Sequence, residues 1–226
     1  MFILPRTPLR QRILPSYTKG EEVTNMVSHI IGGAAGVLVL IASLILAIIH
    51  RDAWRIVTAC IYGLTFINLY TISSVYHGLK VGTGKKVMQV IDHCAIYFFI
   101  AGTYTPILLC LLRPVYPGWA WVLFGIVWGL TALAATLTGI DLKQYKVLSM
   151  LCYIGMGWCI VIAIKPLLQV MPMPGFILLL AGGVVYSIGA VLYGMGKKHR
   201  YVHSLFHFFV LAGSILQALT ILLYVM

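Results

Sequence analysis

Two histidines, His203 and His207, stand four residues apart in "HRYVHSLFHFF", at the start of an otherwise lipid-soluble run. At 100° per residue an i, i+4 pair lies about 40° apart on one helical face, so both imidazoles can grip a single metal ion. A third imidazole, His77, closes an earlier apolar run. Three histidine nitrogens with an open fourth position are the catalytic form of a zinc site, where a neighbouring carboxylate holds or deprotonates the water. Asp92 is the available carboxylate, and Ser73, one turn before His77, is a polar neighbour. The alternative for such histidines is interhelical hydrogen bonding by neutral imidazoles. Three imidazoles and an acid at one depth favour the metal, because hydrogen bonding alone does not require that coincidence.

Depth follows from the elements that must carry these residues. The chain has 226 residues, is 61% hydrophobic and only 9% charged, and has a mean hydropathy of +0.99. A soluble domain carries about 25% charged residues, so the polar surface here is too small for a globule in water. Seven apolar runs, near 27–49, 54–78, 88–111, 117–138, 149–169, 173–194 and 201–225, each reach the about 20 residues that cross a bilayer as helix. Charge, Gly and Pro punctuate the breaks, as in "KVGTGKK", "RPVYPG" and "MPMPG". The pattern predicts an all-α integral membrane bundle of seven transmembrane helices: one domain over 27–226 behind an N-terminal segment, 1–26.

The net charge of +11 then reads as a topology signal. Twelve of the sixteen Lys and Arg fall on one side: Arg6, Arg10, Arg12, Lys19, Lys80, Lys85, Lys86, Lys143, Lys146, Lys197, Lys198 and Arg200. The positive-inside rule places that side, with the N-terminus, in the cytosol and the C-terminus outside. No nucleic-acid partner is needed to explain the basic excess. The N-terminal stretch lacks the continuous apolar core of a cleaved signal, and its arginines are expected to meet anionic lipid.

On this map His77 lies three residues before Lys80, Asp92 six after Lys86, and His203 and His207 three and seven after Arg200. With His29, seven after Glu22, five polar groups from four helices share one level in the cytosolic leaflet. Glu22, Asn25 and His29 follow i, i+3, i+7 spacing and form one face. They are expected to act as a supporting network that caps the first helix, closes the mouth of the site or passes protons. His93 points about 100° away from Asp92 and reads as packing or surface. The five cysteines read as small hydrophobes. Gly32, Gly33, Gly36, Gly155, Gly157, Gly182, Gly183 and Gly189 suit close helix packing, and Pro106 and Pro166 are expected kinks.

The segments "EEVTNMVSH", "SSVYH" followed by "IDH", and "HSLFH" resemble the three signatures of the hemolysin III family, the bacterial branch of the progestin and adiponectin receptor (PAQR) superfamily. The resemblance covers essentially the whole chain. It implies a zinc ion held by His77, His203 and His207 near the cytosolic side, with Asp92 and Ser73 around its water. Glu22, Asn25 and His29 match the E-x-x-N-x-x-x-H segment. The related adiponectin receptors and alkaline ceramidases imply hydrolysis of a lipid amide or ester, linked to membrane lipid homeostasis. The expected protein is thus a zinc-dependent hydrolase of the inner (plasma) membrane with a membrane lipid as substrate or ligand, and a homo-oligomer is compatible with it. Two other functions stand beside it. One is a non-enzymatic sensor or regulator with a structural zinc; the other, ranked lower for a chain of continuous apolar spans, is the cytolysis in the family's name.

Overall fold

The first helix starts at Lys19 rather than near residue 27, because polar chemistry extends it beyond its apolar run. Thr18 and Glu21 form a reciprocal capping box: the Glu21 N–H donates to Thr18 Oγ1 at 3.2 Å and the Thr18 N–H donates to Glu21 Oε2 at 2.8 Å. Glu22 and Asn25 therefore sit on α1 and are held in helical register with His29.

The computed structural model describes residues 6–195 and 200–226; Lys197, Lys198 and His199 lie outside the described residues. Its helices are α1 (Lys19–Ile49), α2 (Ala53–Gly78), α3 (Thr83–Pro106), α4 (Pro117–Ile140), α5 (Lys146–Trp158), α6 (Ile164–Val170), α7 (Met173–Met195) and α8 (Val202–Tyr224). With α3 prolonged to Leu112 and α5 joined to α6, they form seven spans long and apolar enough to cross a membrane, so the chain is a multi-pass membrane protein. Large aliphatics such as Ile30, Leu38, Ile45 and Ile48 point outward, while Asn25, His29, Ser73, His77, Ser214 and Gln217 are buried. Polar inside and apolar outside is the arrangement that lipid demands.

Both expected kinks have local causes. Pro106 lacks an N–H and its ring crowds the carbonyl one turn back, and the ladder after it widens into a π-helix, Ile107–Leu112. The span containing Pro166 breaks just before it, in a 3₁₀ segment, Cys159–Ala163. Tyr104 repairs that break: its hydroxyl donates to the Gly157 carbonyl at 2.8 Å and accepts from the Ile160 N–H at 3.3 Å.

Helices α1, α2, α3 and α4 pack in sequence order, α8 returns to α1, and α7 lies along α8. Close approach needs glycine at specific crossings. A Cβ on Gly32 would stand 2.1 Å from Cδ1 of the fully buried Tyr70, which α1 presses against α2. Gly36 and Gly182 are similarly close to Phe66 and Gln217, whereas Gly155 and Gly157 have no neighbouring atom where a Cβ would go. The last two are therefore not packing glycines, against expectation. Gly32→Ala is expected to cost about 1–3 kcal/mol, typical of overpacking a tight interior. A drop in the thermal midpoint in detergent measures it.

The N-terminal arm is tied to the bundle by three hydrogen bonds. The Thr7 N–H donates to Asp141 Oδ2 at 2.8 Å, Arg12 Nη2 to the Ile140 carbonyl at 2.8 Å, and Lys86 Nζ to the Arg10 carbonyl at 2.7 Å. Arg12 thereby meets a carbonyl at the negative end of α4. Burial raises the pKa of Asp141, but the bonds from Thr7, Gln144 and Lys143 outweigh it and hold the carboxyl down at about 2. The carboxylate latch is complete above the free-chain value of about 3.9 and is lost as pH falls towards about 2. Pepsin nicking of the arm should accordingly rise across that interval. At neutral pH, Asp141→Ala should speed tryptic cleavage after Arg10 and Arg12 by about tenfold, since hydrogen bonds to a charged group contribute about 1.5–3 kcal/mol.

Candidate metal centre

The last turns of α2 carry Ser73 and His77, the first turns of α8 carry His203 and His207, and α1 brings Glu22, Asn25 and His29 alongside. One side chain sets the relation between α1 and α8. Glu21, already in the capping box, accepts the Tyr201 N–H through Oε1 at 2.8 Å. Tyr201 is the N-cap of α8 and adopts the left-handed conformation, φ 61°, which costs an ordinary L-residue about 1–2 kcal/mol. The Glu21 bond offsets part of that cost and fixes where α8 begins.

The three expected ligands come together. One nitrogen each from His77, His203 and His207 lies within 4.8 Å of the others. The Nε2 atoms of His203 and His207 are 3.0 Å apart, and the His77 ring centroid is 5.5 Å from that of His203 and 4.9 Å from that of His207. His77 and His207 are buried and His203 is half-buried.

The donor set fits a metal ion. His77 Nδ1 is engaged by Glu22 Oε2 at 2.7 Å, and a carboxylate only accepts, so Nδ1 carries the proton and Nε2 presents a lone pair. That Nε2 is buried without a hydrogen-bond partner among the described residues. An unsatisfied buried polar atom costs about 1–3 kcal/mol, and a cation shared with His203 and His207 removes the cost. Two tetrahedral ligands at about 2.0–2.1 Å from zinc span roughly 3.3 Å, close to the separation seen between His203 and His207.

Asp92 on α3 stands outside the ligand triangle. It lines the same cavity as Ser73, His203 and His207, within electrostatic range of Ser73 and His77. This cavity, about 240 Å³ and mostly apolar, runs from the imidazoles past Tyr153, Trp158 and Gly183 between α3, α5, α7 and α8. Near it the backbones of α5 and α7 stay apart for most of their length and are bridged by Trp158, whose Nε1–H donates to Ser187 Oγ at 3.0 Å. The Asp92 carboxylate is 3.8 Å from His93 Nδ1, but that nitrogen donates instead to the Gln89 carbonyl at 2.8 Å. His93 Nε2 is thereby left to accept from the Tyr193 hydroxyl at 3.2 Å. His93 thus lines the cavity, where helical phase alone predicts packing or surface.

In the α1 group, Asn25 Nδ2 approaches His77 Nδ1 only to 3.5 Å, while Glu22 is at 2.7 Å. His29 stacks obliquely on His207 at 4.0 Å between centroids and meets the edge of Tyr70 at 4.8 Å. Both its ring nitrogens are buried and unpaired among the described residues.

Three participants escape a reading by polar stripes. Lys85, expected as a loop charge, is buried at 3% exposure, with Nζ donating to Glu22 Oε1 at 2.6 Å and to the Leu79 carbonyl at 3.0 Å. A lysine in the first turn of α3 opposes the helix dipole, and that misfit is a legible hint of a buried partner. Glu21 is legible too, through T-x-x-E. Tyr17, just before α1, lies over the cluster, stacked on His203 at 4.9 Å and 15°. Burial first, then the nearby Tyr193, Glu22 and Asp92, push its phenol well above the usual range, so it covers the imidazoles as a neutral ring. Nothing in its sequence neighbourhood marks it.

Residues 17–218 match the family model described as haemolysin-III related. The chain is 38% identical to "Hemolysin-3" of Bacillus cereus, over 91% of this chain and 92% of that protein. It is 36% identical to "Hemolysin-3 homolog" of Bacillus subtilis (strain 168), over 92% and 96%. A human protein, "Monocyte to macrophage differentiation factor", is 29% identical over 94% of this chain and 87% of its own length.

Proposed function

The chain belongs to the haemolysin-III-related family, and from that premise we propose that it is a zinc-dependent hydrolase of a lipid amide or ester, resident in the inner (plasma) membrane. The observation that carries the proposal is the three-histidine cluster at the head of an apolar cavity beside a thin α5–α7 contact. A zinc ion there supplies Lewis-acid polarisation of a carbonyl and lowers the pKa of water. His77, His203 and His207 hold it. Asp92 takes or returns the proton, Ser73 steadies the carboxyl, and Tyr17 limits access of bulk water from the arm side. The apolar walls accept acyl chain, and the sparse α5–α7 contact offers entry from the lipid. The basic excess at the arm-bearing end supports a cytosolic N-terminus, which a reporter fused after Met226 tests by being active only outside the cell.

A second reading, a sensor or regulator stapled by structural zinc, draws support from the same ligands. They come from α2 and α8, which the buried Tyr70–Ser214 hydroxyl bond joins at 2.7 Å deeper in the bundle, so an ion bridging them would tie the same two helices together a second time. The deciding experiment measures zinc content and turnover of lipid amides and esters by purified wild type and Asp92→Asn. A hydrolase loses turnover while keeping its zinc; wild-type protein that holds zinc but hydrolyses none of these lipids supports the second reading.

A further inference from the structure

Glu22 lies one turn into α1, and its two carboxylate oxygens have different partners. Oε2 accepts from His77 Nδ1 at 2.7 Å and Oε1 from Lys85 Nζ at 2.6 Å. Lys85 is fully committed: its remaining bonds run to the Leu79 carbonyl at 3.0 Å and the His77 carbonyl at 3.4 Å, at the end of α2. The ammonium therefore caps α2 and neutralises Glu22 in one position. On the far side of the His77 ring, Nε2 is buried and has no hydrogen-bond partner among the described residues.

We infer that Glu22, backed by Lys85, is the positioning residue of His77: it fixes the Nδ1–H tautomer and the ring orientation, and so aims the Nε2 lone pair at His203 and His207. A neutral imidazole has one donor and one acceptor nitrogen, and the partner of one decides the role of the other. Carboxylates behind metal-bound histidines do this generally, and losing one typically weakens metal binding 10–100-fold. The competing group, Asn25 Nδ2, is 3.5 Å from Nδ1, too far to match a charge-assisted contact at 2.7 Å. Lys85 also makes the choice sharp. In a Glu22→Gln variant the ammonium claims the only carbonyl oxygen, which leaves the amide NH₂ facing His77 Nδ1. That donor favours the opposite tautomer, Nε2–H, and occupies the lone pair a metal needs.

The inference rests on the metal reading for its purpose, but its test does not depend on that reading. Metal-free wild-type protein with ¹⁵N-labelled histidine, assigned through His77→Gln, should show His77 protonated at Nδ1 by NMR. Glu22→Gln should move the proton to Nε2 and weaken zinc binding 10–100-fold in chelator competition, at unchanged stoichiometry under saturating zinc. His77 protonated at Nε2 in wild type overturns the inference even if the variant fails to fold; so does a Glu22→Gln protein with the wild-type tautomer and zinc affinity. Wild type that binds no zinc, yet shows the Nδ1–H tautomer and its switch in Glu22→Gln, upholds the role of Glu22 and sinks the metal reading instead.

Discussion

His203→Ala is expected to abolish tight zinc binding, with affinity falling by more than about 100-fold, beyond the range typical of removing an outer partner of a ligand. The variant keeps His77 and His207, whose rings stand 4.9 Å apart, but it loses the 3.0 Å pair on a single helix face that grips an ion from one side. Loss should show in two independent measurements. Metal analysis after purification should find about one zinc per wild-type chain and little in the variant. Zinc should also raise the thermal midpoint of wild type and not of His203→Ala, because a ligand that binds only the folded state stabilises by about 2.7 kcal/mol at 100 times its Kd. Equal zinc content in the two proteins would show that His203 is not a ligand, and no zinc in the wild type would show that the cluster is a hydrogen-bonded network of imidazoles.

Asp92→Asn separates catalysis from scaffolding. Asn is nearly isosteric, leaves the histidine triangle intact and can still bond to Ser73, but it cannot take a proton. Removing a positioned general base typically lowers turnover 10²–10⁴-fold, so lipid hydrolysis should fall by that factor with zinc stoichiometry and thermal midpoint unchanged. If the zinc serves only to staple α2 to α8, the substitution should leave the cellular phenotype of the wild-type gene intact.

What the sequence discloses about this molecule depends on the range of the interaction. Spans are legible because a bilayer forces about 20 apolar residues in a row, and only their ends shift, as where the capping box of Thr18 and Glu21 starts α1 at Lys19. His203 and His207 are legible because one helix carries both. His77 and Asp92 follow once loop charges fix depth, and all four line or adjoin one cavity. Contacts made by long side chains across the chain are not legible in this way. Lys85 looks like a topology charge until its ammonium is seen among the Leu79 and His77 carbonyls. Tyr17 has no pattern to betray it, since its stacking on His203 depends on how the arm crosses the bundle. The glycines show the same limit: Gly32 and Gly155 look alike in sequence, and only the position of Tyr70 distinguishes them.

The bond from Tyr201 to Glu21 joins residues 180 positions apart and places the first span against the last. During synthesis, Glu21, Glu22 and His77 enter the membrane long before His203 exists. Until the seventh span arrives, the early helices hold a paired but incomplete polar face, and the three-histidine group has only His77. Completion of the cluster is thus a report of completed insertion: a ribosome-released chain truncated before α8 lacks both the His203–His207 pair and the Tyr201–Glu21 bond that locks the bundle's two ends together.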